Sequence, residues 1–115
     1  MKKIQMKNFT FITSILLIII TIFGCNSTPN DSNVKDAARA AIIHKLKDPN
    51  TAKFHHNEVI NDLGNDTFTY TETVNAKNSF GGSVAHIVNV KIKWAGGSPS
   101  DIENWRLLDI RFNER

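Results

Sequence analysis

Residues 83–94, Ser-Val-Ala-His-Ile-Val-Asn-Val-Lys-Ile-Lys-Trp, alternate without interruption, and this run constrains the fold more than any other stretch of the 115-residue chain. In an extended backbone Val84, His86, Val88, Val90, Ile92 and Trp94 share one side, and Ala85, Ile87, Asn89, Lys91 and Lys93 share the other. A helix would scatter both sets around its axis, so the run is a strand. Its length suits a central or strongly twisted position in a sheet. Residues 67–74 alternate as well: Phe68, Tyr70, Glu72 and Val74 fall on one face, and Thr67, Thr69, Thr71 and Thr73 on a solvated one. Between the two lies 74–82, Val-Asn-Ala-Lys-Asn-Ser-Phe-Gly-Gly, which reads as the connection joining them.

Two weaker strands complete a sheet. Residues 52–61 carry Phe54, Val59 and Ile60, with alternation that slips near Asn57 and calls for a bulge. Residues 62–66, Asp-Leu-Gly-Asn-Asp, form a turn. Residues 102–112 carry Trp105, Leu107, Leu108, Ile110 and Phe112, with apolar groups on both faces, which requires an interior position or a bulge at Leu107-Leu108. Ahead of the strands, 33–47 has helical spacing: Val34, Ala38, Ala41, Ile42 and Leu46 form a stripe with Ala37 at its margin, Asn33 can cap it, and Pro49 stops it at Asp48. Small side chains on that stripe allow close approach to strands. The expected fold is α+β, with one N-terminal helix packed on a four-stranded antiparallel meander sheet.

The first 24 residues have the layout of a signal peptide: a basic start at Lys2, Lys3 and Lys7, then an apolar run from Phe9 to Phe23 that is short for a permanent span. Ile22-Phe23-Gly24-Cys25 resembles the lipobox of bacterial lipoproteins. The resemblance implies cleavage after Gly24, a diacylglyceryl group on Cys25 and acylation of the new N-terminus, which together hold a protein firmly to a membrane. Residues 25–32 read as a polar tether and 33–115 as a small domain. The location implied is the bacterial cell envelope, on the periplasmic face of the outer membrane if the source is Gram-negative. The formal charge of +3 is carried by the leader. Of fourteen Lys plus Arg, three precede Cys25, leaving eleven against eleven Asp plus Glu. With no net cationic excess, a nucleic-acid partner loses its electrostatic basis.

Cys25 is the only cysteine, so once lipidated it leaves no disulfide, thiol nucleophile or thiolate ligand. His55 and His56 are adjacent and point to opposite faces of a strand, His44 edges the helix stripe, and His86 lies on the apolar side of 83–94. None has metal-binding spacing, and no metal or other cofactor is expected. Glu72 is the carboxylate of most interest. Buried, it would have a raised pKa and could act as an acid with His86; the preferred reading places it at a strand end that reaches solvent. The candidate binding loop is Asn75, Asn78, Ser79, Phe80, Gly81 and Gly82, whose amides, hydroxyl and aromatic ring can meet a polar ligand or a protein backbone. The same residues also serve as a strand connection that tolerates positive φ.

Residues 46–54, Leu-Lys-Asp-Pro-Asn-Thr-Ala-Lys-Phe, and 74–82 together resemble paired segments of a group of small bacterial and prophage-encoded proteins, often secreted or lipid-anchored. Those proteins carry Leu-x-Asp-Pro-x-Ser-Ala-x-Phe ahead of Val-Asn-x-x-Asn-x-Phe-Gly-Gly. Here Thr51 stands for the serine, and Ser83 follows the glycines where many relatives have an aromatic residue. The resemblance implies a shared domain and carries no mechanism. The expectation is a membrane-anchored, non-enzymatic binding or inhibitory module with an envelope protein or cell-wall component as partner. The alternatives are a small envelope hydrolase using Glu72 and His86, and a purely structural lipoprotein.

Overall fold

The computed structural model describes residues 28–77 and 81–115; the leader and Cys25 lie outside the described residues. Among the described residues there is one α-helix, α1 (Asp31–Lys45), followed by five strands: β1 (Lys53–Phe54), β2 (Val59–Gly64), β3 (Thr67–Lys77), β4 (Ser83–Trp94) and β5 (Trp105–Glu114). All pairings are antiparallel. β3 pairs with β4 and β4 with β5, while β1 and β2 both lie against the other side of β3. The α+β meander is therefore present with five strands, because the segment expected as one first strand is broken in two. No helix among the described residues is long and apolar enough to cross a membrane.

The break has a visible cause. His56 takes a positive φ of 58° and turns the chain out of the strand. The ladder position so vacated on β3 is filled by a side chain: Asn57 Oδ1 accepts from the Thr73 backbone N–H at 2.9 Å, and Asn57 Nδ2 donates to Thr73 Oγ1 at 2.9 Å. Thr73 is consequently buried, the one threonine of its face that is. The slip expected at Asn57 is thus a full interruption repaired by an amide. β2 then continues through Gly64 to a two-residue turn, with Asn65 and Asp66 at φ of 53° and 59°. That left-handed pair is what a tight hairpin with right-handed strand twist requires.

α1 begins and ends two residues earlier than its spacing predicts. Asn30 is the cap, and Asn33 is its reciprocal partner: Asn30 Oδ1 accepts from the Asn33 N–H at 2.9 Å, and Asn33 Oδ1 accepts from the Asn30 N–H at 3.0 Å. The box satisfies two of the orphan N–H groups of the first turn, so the helix extends back into the predicted tether. Leu46 is already extended, at ψ 144°. The stripe packs as expected, with Val34, Ala37, Ala38 and Ile42 buried against Phe68, Tyr70, Val74, Val88, Val90 and Ile92.

β4 is the interior strand its length suggests. β5 is an edge strand, and its two-faced apolar pattern comes from a bulge: the register passes from Lys91↔Asp109 to Ile92↔Leu107, leaving Leu108 unpaired and half exposed. It starts later than expected, since 102–104 forms a 3-10 turn capped by Asp101 Oδ1, which accepts from the Glu103 N–H. The sheet is covered on one side only. α1 lies on the face of Tyr70, Val88 and Ile92; the other face, with Thr69, Thr71, Asn89 and Lys91, has no layer over it among the described residues.

Candidate functional site

β3 runs to Lys77, so 74–77 is strand rather than connection. Val74 and Ala76 are buried, and the last pair is Lys77↔Ser83. The connection therefore begins after Lys77 and ends before Ser83. Asn78, Ser79 and Phe80 lie outside the described residues; Gly81 and Gly82 are exposed, and Gly81 holds a positive φ of 83°. Asn75 belongs to the strand and sits on the uncovered face, where its Oδ1 lies 2.7 Å from His55 Nε2.

Residues 48–54 and 74–77 meet at this end of the sheet. Lys53 pairs with Asn75 and Phe54 with Val74, and the Lys77 N–H donates to Thr51 Oγ1 at 3.4 Å. Thr51 in turn donates to the Asp48 carbonyl at 2.8 Å, closing the 3-10 turn Pro49–Thr51. A Pro-initiated turn followed by Phe54, and a hairpin arm ending in Lys77, therefore build one corner.

Behind that corner lies a polar network that strand periodicity does not reveal. Glu72 is 1% exposed. The expectation of a solvent-reaching strand end fails because α1 crosses above it and supplies Arg39 as a partner. Arg39 Nε donates to Glu72 Oε1 at 3.0 Å and Arg39 Nη2 to Oε2 at 2.7 Å, a two-pronged pairing. Tyr70 Oη donates to Oε1 at 2.5 Å, and the His56 backbone N–H donates to Oε2 at 2.9 Å. Arg39 also lies 4.4 Å from the centre of the Phe54 ring, a cation–π contact, and 3.4 Å from His56 Nδ1.

Burial pushes the Glu72 carboxyl up, but the bonds from Arg39 and Tyr70, the Arg39 charge and the His56 N–H together hold it below its ordinary value of 4.5. This reverses the raised pKa expected of a buried Glu72. The Arg39 guanidinium is held more firmly protonated, chiefly by its bond to Glu72. Burial, reinforced by the bond to Glu72, raises Tyr70 well above 10.0. Each Glu72 oxygen already accepts two donors, so the carboxylate has no lone-pair position left for a substrate proton.

His56, Glu58 and Glu72 each bring a ligand atom within 4.8 Å of the others, a convergence that the adjacent-histidine argument did not anticipate. Glu58 is held by Lys35 Nζ at 2.9 Å, which keeps its carboxyl below the usual range, and its Oε2 is enclosed without a hydrogen-bond partner among the described residues. Within this group Glu72 already holds a cation, the Arg39 guanidinium, on both its oxygens, and Arg39 Nη2 also lies 3.4 Å from His56 Nδ1. The geometry is that of an ion-pair network closing the strand break, with Glu58 and Lys35 at its rim.

His86 and Glu72 share the helix-side face, two rungs apart in the β3–β4 ladder. His86 is half-buried with its ring edge-on to Phe112 at 6.1 Å between centroids, and none of the hydrogen bonds around Glu72 involves it. Glu72 and His86 therefore have no shared acid–base contact. His44 is exposed at the mouth of an open apolar cleft of about 310 Å³, which Ala40, Ala41, Ile102, Trp105 and Leu107 also line. The signal that could have located the network is a pair of exceptions: a glutamate in the middle of an apolar strand face, and an arginine next to the alanine stripe of the helix.

The chain matches no protein-family model, and neither a curated protein nor a solved structure shows significant similarity to it.

Proposed function

We propose that this chain is an envelope lipoprotein, held at a membrane by a lipid on Cys25, whose domain works as a non-enzymatic binding or inhibitory module. The observation that carries the reading is the sequence Ile22-Phe23-Gly24-Cys25 standing five residues before the Asn30 helix cap. So short a leash, at most ~16–18 Å when extended, keeps the domain at the membrane surface. The hairpin corner of Thr51, Lys53, His55 and Asn75, with Gly81 and Gly82 beyond it, is the presenting end. A polar, partly backbone-built corner fits an envelope protein or a cell-wall component. A prophage role, such as masking a receptor or restraining a wall hydrolase, suits a module of this size. The occupied lone pairs of Glu72 and its separation from His86 support a binding role over the hydrolase alternative.

The test is recovery of a partner from solubilised envelopes with the lipidated protein as bait. A specific partner should be retained by the natural chain and lost with Phe80→Ala or an Asn78→Ala/Ser79→Ala pair. Recovery that is indifferent to all three substitutions would reject the loop as the contact.

A further inference from the structure

The balanced charge of residues 25–115 is not evenly distributed. On the uncovered sheet face, alternation and register place Lys53, Lys77, Lys91, Lys93, Arg106 and Arg111, all exposed, against one acid, Asp109. Most other acids lie on α1, in turns or on the helix side. Four of the cations crowd one half of the face: Lys91 and Lys93 are neighbours along β4, Arg106 stands directly opposite Lys93, and Arg111, opposite Asn89, lies two rungs from Lys91. Asp109 is engaged by Arg111 Nε at 3.0 Å. Among the described residues Lys91, Lys93 and Arg106 have no acid within ion-pair distance. Asp66, which lines the cleft beside Lys93 and Arg106, lies in the β2–β3 turn at their end of the sheet. Like charges placed opposite each other in a ladder destabilise a sheet, and an anionic partner reverses that effect. Between the cations the face carries Thr69, Thr71 and Asn89, with Thr71 Oγ1 donating to Asn89 Oδ1 at 2.9 Å, a hydrogen-bonding surface; the cleft at its end, beside Lys93 and Arg106, is shared with the Asp66 carboxylate, which disfavours a single small anion there.

We propose that this basic half-face rests on an anionic phospholipid leaflet, the one in which the Cys25 lipid sits; the inference deepens the lipoprotein reading and depends on it for the tether. A flat patch with a cationic excess is matched by a plane of anionic headgroups, each cation contributing to attraction within a Debye length. The tether permits the pose. The first turn of α1 lies at the β2 edge, where Asp31, Ser32 and Lys35 line a cleft with Glu58 and Ile60, and the ~16–18 Å reach from Cys25 to Asn30 exceeds the ~10 Å typical of packed layers, so the chain can pass that edge toward the opposite face. Docking through Lys93 and Arg106 puts the other end of β3 and β4 farthest away. Ten rungs separate Thr67↔Lys93 from Lys77↔Ser83, about 33 Å along the strands, so the far end of β3 and β4 stands clear of the docked cations.

The experiment uses the mature lipidated protein in vesicles, with an environment-sensitive dye on Asn89→Cys, which adds the single free thiol, or on Asp36→Cys as a reporter on the helix. Phosphatidylcholine vesicles are compared with vesicles holding about one-third phosphatidylglycerol. The Asn89 reporter should shift to the blue only on the anionic vesicles and revert in roughly 0.5 M salt, while the Asp36 reporter stays unchanged. Lys93→Ser/Arg106→Ser, checked for an unchanged or raised melting temperature, should lower the docked-to-undocked ratio at least about tenfold, since each cation near such a surface contributes about one power of five. An unshifted Asn89 reporter on protein that floats with the anionic vesicles overturns the docking. So does an equal shift on neutral vesicles, or a shift with single-stranded DNA and none with lipid. Failure to float with neutral vesicles at high salt overturns the Cys25 anchor instead, and the shift on anionic vesicles still decides the docking.

Discussion

Arg39→Met removes the guanidinium and keeps the aliphatic volume over Phe54, leaving Glu72 buried with only Tyr70 and the His56 N–H as partners. Breaking one side of a fully buried ion pair costs about 3–5 kcal/mol. The Glu72 side chain is 0% exposed, but that of Arg39 is 19% exposed. Water at the guanidinium weakens the pair, and about 2–4 kcal/mol is the appropriate range. A domain of this size has a total stability of roughly 4–13 kcal/mol, so the loss is a large fraction of it. Urea unfolding followed by Trp94 and Trp105 fluorescence should show a lower midpoint with an unchanged slope.

The pH dependence supplies an independent sign. In the natural protein Glu72 is held below 4.5, so its contribution is complete above about pH 4.5 and is lost as pH falls through the depressed folded value. Without Arg39, burial dominates and the carboxyl rises, so the variant should gain stability as pH falls from 7 toward 5, a range over which Glu72 adds no pH dependence to the natural protein. A change in stability below about 0.5 kcal/mol at pH 7, or the same pH profile in both proteins, would refute the network as a buried one.

Three further expectations concern the same framework. Asn57→Ala leaves the buried Thr73 N–H without its acceptor and should cost about 1–3 kcal/mol, with faster amide exchange at Thr73 specifically. Asn30→Ala removes the helix cap and should cost about 1 kcal/mol, while Asn33→Ala, which breaks only the return bond, should cost less in thermal melts. Tyr70, raised above 10.0, favours its neutral form in the folded state, so stability should fall as pH rises past 10, and Tyr70→Phe should flatten that limb in alkaline unfolding curves.

The strands of the sheet were legible wherever one face is apolar and the other polar, as in β4, whose bounds coincide with its alternation. For β5 the two-faced pattern left an interior position or a bulge at Leu107-Leu108 open, and the bulge is what forms on an edge strand, because Leu107 and Leu108 cannot both face the core in a regular ladder. The helix was readable in its stripe but not in its start, since Asn30 and Asn33 can each cap and only their reciprocal bonding decides between them. The division of 52–61 into two strands depends on a left-handed His56 and on an amide reaching across to β3, neither of which periodicity reports. Glu72 was misplaced for a related reason. Its partner lies 33 residues earlier in the chain, and a strand pattern read alone treats a glutamate at that position as a sign of solvent. The basic face was missed because net charge sums over the surface, whereas alternation sorts the lysines of β4 to one side. Of the candidate loop residues, Asn75 belongs to β3, and Asn78, Ser79 and Phe80 lie outside the described residues.

The anchor at Cys25 underlies both the proposed location and the pose of the basic face. Intact-mass and N-terminal peptide mass spectrometry of the protein recovered from bacterial membranes tests it directly. The account predicts a chain beginning at Cys25, with the mass of a diacylglyceryl group on its sulfur and an acyl group on its amine in hosts that add one. An intact Met1, or an unmodified Cys25 in the membrane-bound protein, would contradict it.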